Sequence, residues 1–451
     1  MKFNILPIIL AAVGGYFLLR LRFFFILHPI RTVTRGLRSI KDKRAFRSFT
    51  LALAGTLGVG NVFGVALGIM IGGAGSLFWL FISMFFAMVI KYAEVVITGD
   101  NLFHDGDTHG GIFYVIRSSF RLLSRLLSVI YVVSTLLLSL VMGAALQTDA
   151  IEESLAYLTP VSPLVLGIFL VLLTLITIMG GTDKIEKITA IIIPLSTIIY
   201  IFMTLSVIVI NINSLKEVIK SVVSSAFKID SALGGALGFL LSSPVREGFA
   251  RGILSNEAGA GTSSMAHSRS GVLSPASLGI LGILEVWFDT GLICMLTGLA
   301  ILLSVPDVSL FSGGMQLVTY AVGNVFGIAG KWVLLFIVFA FAFATVICWY
   351  YYGSESWSAI FGKRKRGLFL PLFLLFVFLG CFLDSLVLVF MTDALMLAAT
   401  VITVSTLIKN SDRIEYLSEI GGVMNSQRVR LKRFRIGKIK GNGFLKGEKR
   451  R

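Results

Sequence analysis

The chain has 451 residues, of which 56% are hydrophobic and 14% are charged, and its mean hydropathy is +0.90. These values exclude a soluble globular protein and predict a polytopic membrane protein. The formal net charge of +16 does not indicate a nucleic-acid partner, because the basic residues lie in short blocks between apolar runs and in the C-terminal tail, as the positive-inside rule predicts.

The first apolar run covers residues 5–19 and is followed by arginines instead of a small-residue cleavage site. We therefore expect an uncleaved helix and not a secretory signal. Residues 20–47 carry a dense set of arginines and lysines against the single acid Asp42, which predicts a cytoplasmic segment. The N-terminus then lies outside the cell.

An interrupted helix is predicted at residues 51–75. The run is apolar and long enough to span a bilayer, but four glycines (55, 58, 60 and 64) surround one polar residue, Asn61, near its middle. Glycine weakens a helix and permits close backbone approach, so the helix is expected to stop and restart there. In hydrocarbon, such a break survives only where its free backbone groups face protein, an ion or a ligand. The alternative is a small-residue face that packs against another helix.

The two ends of such a break favour different ligands. The restarting half-helix presents the N–H groups of Val59, Gly60 and Asn61, and its dipole favours a carboxylate. The ending half-helix is expected to present unpaired carbonyls, which suit a small hard cation. The Asn61 carboxamide can accept toward a cation or donate toward a carboxylate. The candidate cation ligands are the carbonyls from Ala54 through Thr56 to Leu57.

A second interruption falls at Ser255 to Gly261, within the apolar stretch 233–266. An ionisable residue inside a span is functional by default, because its burial is costly unless it has a partner. Glu257 is therefore expected to balance Arg251 or Arg246, or to serve a cation or proton site. Glu285, Asp289 and Asp393 raise the same question, Lys91 and Glu94 are close enough on one helix face to pair, and His267 is interpreted as the inner end of its helix.

Eleven membrane spans are predicted in all. From an outside N-terminus, an odd number puts the C-terminus in the cytoplasm, and the basic tail from Arg428 agrees. That tail either holds anionic lipid or is a disordered topology determinant. The predicted spans are residues 5–19, 51–75, 76–97, 126–146, 161–179, 188–210, 233–266, 278–303, 332–357, 368–382 and 386–408.

The two interruptions take matching positions in the chain. With the first helix set aside, they are the first and sixth of ten spans, so each opens a half of five, and the second half enters the membrane from the opposite side. Secondary transporters with inverted repeats have this layout, with substrate and ion near the midplane. The predicted fold is all-α and integral to the membrane, with units at 1–47 (N-terminal helix and basic segment), 48–212 (first repeat), 213–408 (second repeat) and 409–451 (basic tail).

Six stretches carry a family resemblance. They are AGTLGVGNVFGVA at 54–66, KYAE at 91–94, GGIFYVI at 110–116, ARGILSNEAGAGTSSMAH at 250–267, FDT at 288–290 and FAFATVICWYYYG at 341–353. In these stretches, which follow one another over nearly the whole chain before the tail, the sequence resembles the alanine/glycine:cation symporters. That family consists of bacterial and archaeal Na⁺-coupled carriers of small amino acids within the superfamily that shares the LeuT fold.

The resemblance implies a LeuT-like 5+5 inverted repeat and Na⁺-coupled uptake of alanine or glycine by alternating access. It implies that Thr345 offers a hydroxyl to sodium and that Asn61 serves both substrate and ion. Without the resemblance, the aromatic run at 349–352 is more typical of an interfacial belt. The substrate-binding residues that the family resemblance implies are Val59, Gly60, Asn61, Gln147, Ile253, Leu254, Ser255, Asn256 and Trp349.

The chain departs from the family pattern at several positions. Members usually have threonine where Val59 and Ala344 stand, glycine at Glu285, and a small residue and proline at 263–264, where this chain has Ser-Ser. The loss of two hydroxyls leads to a second hypothesis, in which a protonated carboxylate, Glu257 or Glu285, couples transport. The alternative function is thus an H⁺-coupled carrier of another small zwitterion, such as D-alanine, serine or a short compatible solute.

Other classes fit the residues less well. A membrane enzyme needs clustered catalytic groups, and histidines 28, 104, 109 and 267 form no cluster with motif spacing; a receptor or channel does not require paired breaks in inverted halves. Each of the three cysteines lies in an apolar run without a partner at metal-ligand spacing, so neither disulfide nor zinc is predicted. We expect no enzyme cofactor, Na⁺ or H⁺ as coupling ion, an amino-acid substrate, and a bacterial or archaeal plasma membrane as the location.

Overall fold

The computed structural model describes residues 5–105, 111–120, 122–227, 242–271, 273–311 and 313–424, except for the side chains of 101–105. All regular secondary structure in this part of the chain is helical. Long apolar runs favour this outcome, because a helix satisfies its backbone hydrogen bonds within one segment and needs no water to do so.

Twelve helices lie in the described chain before residue 228. They are α1 (Leu6–Arg20), α2 (Phe24–Leu27), α3 (Pro29–Ser39), α4 (Lys43–Thr56), α5 (Phe63–Gly72), α6 (Gly75–Asp105), α7 (Ile112–Ser119), α8 (Ser124–Leu140), α9 (Leu146–Ala156), α10 (Pro163–Ile178), α11 (Gly181–Ile210) and α12 (Leu215–Ala226). A 3₁₀ turn, Val59–Asn61, separates α4 from α5, and a π-helical turn, Val141–Ala145, joins α8 to α9.

Eight further helices follow in the described chain. They are α13 (Ser243–Asn256), α14 (Ser263–Ser268), α15 (Pro275–Val286), α16 (Met295–Ser304), α17 (Gly314–Phe361), α18 (Phe369–Leu379), α19 (Ser385–Lys409) and α20 (Ser411–Ile420). A second π-helical segment, Trp287–Cys294, joins α15 to α16, and a basic 3₁₀ turn, Lys363–Leu368, follows α17.

Several helix starts follow directly from the sequence. The Asp42 carboxylate caps α4 by accepting from the amides of Arg44 and Ala45 at 2.9 and 3.0 Å, and Asp384 caps α19 in the same way. A short acceptor at this position satisfies N–H groups that the first turn leaves free. Proline occupies the first turn of α10, α13 and α15, where its missing N–H has no cost.

Seven described helices are long and apolar enough to cross a membrane, and α4 with the following segment Val59–Gly72 forms an eighth, bent by 60°. The seven are Gly75–Asp100, Ser124–Ala156, Gly181–Ile210, Pro275–Ser304, Gly314–Phe361, Lys363–Phe382 and Ser385–Lys409; α1 and α10 are apolar but shorter. The protein is therefore a multi-pass membrane protein, and the number eleven stays a prediction.

The interrupted segments pack in the middle of the bundle. Helix α13 lies along α5 and α6, while α17 crosses α4 and runs beside α8, α9 and α11. Residues Leu51 to Val59 are all buried, although an amphipathic surface helix would expose one face. The backbone that leads into the first break is therefore enclosed by protein, and Gly60 within the break is partly exposed.

Two features of the C-terminal half differ from the predicted spans. Helix α17 is longer than the predicted 332–357, and its backbone leaves the helical region at Gly327, where φ is +63°. Helix α20 lies in the predicted tail and packs on the bundle: Tyr92 donates to Ser418 at 2.8 Å, and Arg20 forms ion pairs with Asp412 and Glu415. The basic tail from Arg428, the span residues 233–241 and His109 lie outside the described chain.

Candidate substrate and ion site between two broken helices

The end of α4 is held by side chains from one face of α17. The Thr345 hydroxyl donates to the Ala54 carbonyl at 2.9 Å, and the Trp349 indole donates to the Gly55 carbonyl at 3.2 Å. Cys348 donates to the carbonyl of Leu51 at 3.2 Å. Positions three and four residues apart share one helix face, so all three donors reach α4 together.

These bonds correct one expectation from the sequence. The carbonyls of Ala54 and Gly55 are not unpaired, and the Thr56 carbonyl accepts from the Gly58 amide at 2.8 Å. The Thr56 hydroxyl bonds back to its own helix at the carbonyls of Ala52 and Leu53. Buried carbonyls need partners, and a distant helix supplies donors that sequence spacing does not reveal.

Gln147 reaches the first break from the opposite side. The Val59 amide donates to Gln147 Oε1 at 3.1 Å, and Gln147 Nε2 donates to the Met142 carbonyl at 3.0 Å. The close approach of these side chains requires glycine at position 58, because a Cβ there would lie 2.8 Å from both Gln147 Oε1 and Thr345 Oγ1. The structure thus brings Val59, Gln147 and Thr345 together around Gly58.

Asn61 joins the two interruptions. Its Nδ2 donates to Ser255 Oγ at 3.0 Å and to Asp289 Oδ1 at 2.5 Å. Ser255 also donates to Asp289 Oδ2 at 2.5 Å, so the Asp289 carboxylate is shared by both breaks. The Oδ1 of Asn61 is buried and has no partner in the described chain. A buried amide oxygen of this kind calls for a donor or a cation.

The second interruption is a run of unusual backbone conformations after α13. Glu257 is left-handed with φ of +54°, and Gly259 and Gly261 follow with φ of +93° and +75°. The Gly259 amide donates to Glu94 Oε1 at 2.6 Å, and the Ala260 carbonyl accepts from the Tyr131 hydroxyl at 2.9 Å. Helices α6 and α8 therefore supply the bonds that this stretch loses within its own chain.

Glu257 does not pair with either arginine that the sequence suggested. Arg251 instead bonds Glu247, one turn earlier in α13, at 3.2 Å and lies 3.8 Å from Asp393 in α19. Arg246 also pairs with Glu247. The Oε2 of Glu257 accepts from Thr262 at 2.6 Å, and its Oε1 is buried without a partner in the described residues.

A fully buried ionic cluster lies next to the second break. Lys91 forms its ion pair with Glu285 at 3.5 Å and donates to Ser263 at 2.8 Å, so the expected pair with Glu94 does not form. His267 Nε2 lies 2.7 Å from Glu285 Oε2, and its ring is buried. His267 is thus part of a polar network and not only the end of a short helix.

The remaining predicted residues lie around the same space. A Cβ on Gly60 would lie 3.6 Å from the Leu254 carbonyl oxygen and 3.7 Å from Ser255 Cα, so the two breaks approach each other here. Gly60 is partly exposed, whereas the other predicted substrate residues are buried. Asn256 turns toward Thr290 at 3.0 Å, and Ile253 contributes a carbonyl that accepts from the Glu257 amide. Gly143 lets Trp349 approach the π-helical turn Val141–Ala145, because a side chain there would overlap the indole.

Sequence reasoning raised Asp289 as a question but did not identify its partners. Its position inside a span was the available signal. Tyr131, Glu94 and Cys348 were not linked to the breaks, since each is joined to its partner by tertiary packing alone. All three bond backbone groups of an interrupted segment or of the helix that leads into it.

Comparisons with known proteins agree with this architecture. A sequence model of the sodium:alanine symporter family matches residues 1–414. The chain is 30% identical over 351 residues to the sodium/alanine symporter AgcS of Methanococcus maripaludis, and the match covers 75% of each chain. It is 29% identical over 353 residues to the sodium/proton-dependent alanine carrier protein of Bacillus sp. PS3, across 75% of this chain and 78% of the relative.

The fold is also similar to that of a solved transporter. The crystal structure of the Eremococcus coleocola manganese transporter aligns with a TM-score of 0.54 over 81% of this chain and 78% of that one, at 15% sequence identity. At this identity the likeness concerns the fold alone. Because the family match extends from the N-terminus through α19 into α20, the chain belongs to the sodium:alanine symporter family and is a membrane transporter, not an enzyme.

Proposed function

We propose that the protein carries alanine or glycine across the membrane together with Na⁺, by alternating access. The observation that carries this proposal is the position of Asn61, which bonds Ser255 and Asp289 of the second half while its Oδ1 has no partner. An unsatisfied buried acceptor costs about 1–3 kcal/mol. A substrate ammonium group or a cation beside Asn61 would offset that cost.

In this proposal the substrate carboxylate binds at the 3₁₀ turn Val59–Asn61, which precedes α5. Gln147 Oε1 accepts from the Val59 amide at 3.1 Å, and a carboxylate oxygen can take the same place. Gly60, which has no side chain and is partly exposed, leaves room beside it. A buried pocket wall that leaves little space excludes amino acids with large side chains, because those side chains would overlap the wall. The proposed wall consists of Gln147, Ile253, Leu254, Ser255, Asn256 and Trp349.

The sodium ion binds between α4 and α17 in this proposal. Thr345 Oγ1 and the Ala54 carbonyl lie 2.9 Å apart and can both turn lone pairs toward a cation once the hydroxyl proton rotates away. Oxygen ligands of this kind suit a hard cation. The carbonyls of Thr56 and Leu57 and Asn61 Oδ1 complete the proposed ligand set.

The proposed architecture is the LeuT-like 5+5 inverted repeat after one extra helix. The breaks after α4 and α13 support it, because each would interrupt the first span of one proposed half, 48–212 or 213–408. The proposed orientation puts the N-terminus outside and the C-terminal tail, 409–451, in the cytoplasm of a bacterial or archaeal cell. The basic residues between 20 and 47 support it.

Substitution of Asn61 tests the proposal. Reconstituted Asn61→Leu is expected to lose alanine uptake by about tenfold or more, because hydrogen bonds to a charged group are lost, while its size-exclusion profile stays normal. Asn211→Leu is the matched control, since in the described part of the chain that side-chain amide bonds only its own helix, at the Val207 carbonyl, 2.8 Å away. Unchanged uptake in Asn61→Leu would contradict the proposal. Competition by glycine, D-alanine, serine and compatible solutes, in Na⁺ and then in choline, identifies the substrate.

A second candidate is H⁺ coupling through Glu257 or Glu285. Two observations favour it: Glu257 Oε1 is buried without a partner in the described chain, and Glu285 lies between Lys91 and His267. A buried carboxyl group with a free oxygen is suited to carry a proton. We expect Glu257→Gln or Glu285→Gln then to abolish uptake driven by a pH gradient. Uptake that a sodium gradient drives alone, and that an uncoupler leaves unaffected, would refute this candidate.

A further inference from the structure

A cavity of about 410 Å³ lies away from the two breaks, between α7, α8 and the end of α17. Two guanidinium groups, Arg117 and Arg125, line it from consecutive helices. Neither arginine has a carboxylate partner in the part of the chain that the structure describes. The volume lies within the range of sites that bind small organic molecules.

A buried polar group in the same cavity also lacks a partner. Ser128 lies one turn after Arg125, its side chain is 4% exposed, and its hydroxyl has no hydrogen-bond partner in the described residues. Buried hydroxyls are normally satisfied. The two guanidinium groups, without a carboxylate partner among the described residues, and the unsatisfied Ser128 hydroxyl together form a donor set that matches phosphate oxygens.

Apart from Ser124, the rest of the cavity lining is apolar, and the cavity opens at the surface of the helix bundle. Val129, Val132 and Ile360 line it, and Val129 is 48% exposed on the flank of α8 that also presents Leu126 and Val133. The opposite wall ends just before the basic turn Lys363–Leu368. A free phosphate ion would leave this apolar wall uncovered, whereas the glycerol and acyl portion of a lipid would cover it.

We propose that this cavity binds the phosphate headgroup of an anionic phospholipid, with Arg117 and Arg125 on the phosphate and the acyl chains along α8. Basic pockets between helices on the cytoplasmic side of membrane proteins favour such headgroups. The site is independent of the proposed substrate site, and its ligand is part of the bilayer.

Shared residues connect the proposed lipid site with the second break. A small adjoining cavity shares Phe113, Val132 and Ala359 with the lipid site and reaches Tyr131, whose hydroxyl holds the Ala260 carbonyl. Its carboxylate, Glu355, is held by Arg366 at 2.9 Å and does not oppose the headgroup. A lipid bound at this site would therefore contact α7 and α8 beside the interrupted segment and restrict their movement.

The test compares lipids on the purified full-length protein. Dioleoylphosphatidylglycerol or dioleoylphosphatidylcholine is added to protein in nonionic detergent, and retained lipid is counted by native mass spectrometry while the unfolding temperature is followed. Arg117→Gln with Arg125→Gln is expected to reduce the preference for the anionic lipid by about fivefold per arginine. Val129→Trp, which fills the opening without changing charge, should reduce retention of the lipid as well.

The matched control is Arg364→Gln with Lys365→Gln, which removes the same charge from the neighbouring exposed turn. This variant should keep the wild-type preference. An equal loss in the control, or equal retention of the two lipids by the wild type, would overturn the proposal. The third measurement adds inorganic phosphate at millimolar concentration and follows the unfolding temperature. If phosphate raises this temperature as much as the anionic lipid does, the site binds free phosphate and the proposal of a lipid site is overturned.

Discussion

Asn61 shows how one polar residue can connect two distant segments inside a membrane protein. Its amide donates to Ser255 and to Asp289, which lie 194 and 228 positions away in the chain. The buried Oδ1 of Asn61 accepts no hydrogen bond from the described residues. A residue with a purely structural role would normally have this oxygen satisfied. The nearby Gly58 and Gly60 add no side chains of their own to this region.

Gly58 provides a steric test of the first break. In Gly58→Ala the new methyl group would lie 2.8 Å from Gln147 Oε1 and Thr345 Oγ1, so both side chains must shift. Such crowding costs about 1–3 kcal/mol, and we expect alanine and sodium affinity to fall about tenfold or more. Scintillation proximity binding of alanine at graded sodium concentrations measures both.

The matched control for this substitution is Gly64→Ala in α5. A methyl group there meets only Leu254, at 3.7 Å, which is ordinary contact. This variant should bind as the wild type does. If Gly58→Ala also retained wild-type affinity, the space around Gly58 would not belong to the binding site.

The sequence predicted much of this residue set but not its bonding. Glycines around Asn61 indicated a break, and the resemblance implied Gln147, Thr345 and Trp349, which the structure places around the end of α4. The pairing of Arg251 with Glu247 and of Lys91 with Glu285 could not be predicted. Several carboxylates and cations compete within the bundle, and tertiary packing decides which of them meet.

At the scale of elements, the second break depends on backbone conformations that favour glycine. Gly261 has a φ of +75°, and a Cβ there would lie 2.5 Å from Ile112 and 3.0 Å from the Tyr131 hydroxyl. We expect Gly261→Ala to lower the free energy of unfolding by about 3 kcal/mol, from the left-handed backbone and the overlap together. Thermal unfolding in detergent checks this value.

Gly271 serves as the comparison for Gly261. Its φ is +60°, but among the described residues no heavy atom outside its chain neighbours lies within 4 Å of the position of a Cβ. Gly271→Ala should therefore have only the backbone cost, about 1 kcal/mol. If the two substitutions lowered the free energy of unfolding equally, packing around the second break would contribute nothing to stability.

Arg251 links α13 to α19 through a buried network. Its side chain is 7% exposed and pairs with Glu247 at 3.2 Å and with Asp393 at 3.8 Å. Arg251→Ala leaves the half-buried Asp393 carboxylate without its cation in the described chain and leaves Glu247 with Arg246 alone, so we expect a loss of about 3 kcal/mol. Asp393→Asn removes only the longer contact and should cost about 1 kcal/mol. The order of their unfolding temperatures checks the assignment, and a reversed order would contradict it.

The elements divide into those that a local signal indicates and those that it does not. A glycine cluster indicated the first interruption, because glycine weakens a helix, and the run Ser255 to Gly261 inside an apolar stretch indicated the second. The kink at Gly327 and the docked helix α20 were not predicted. Residues 411–420 are too polar to be recognised as a span, and α20 is held by tertiary contacts such as those of Tyr92 and Arg20.

At the scale of the whole molecule, composition was sufficient to predict a multi-pass membrane protein. The seven long apolar helices and the bent pair agree with it. The eleven spans and the two repeats of five stay predictions, because length and hydropathy do not decide whether shorter helices such as α1 and α10 cross the bilayer. The family, in contrast, could be recognised from six short stretches and is confirmed.

The most direct measurement is alanine accumulation in proteoliposomes that contain the wild-type protein. An inward sodium gradient is imposed at equal pH on both sides, in the presence of an uncoupler. We expect alanine to rise above its external concentration and to fall back when choline replaces sodium. No accumulation under a sodium gradient, or accumulation that the uncoupler abolishes, would contradict sodium-coupled transport between the two broken helices.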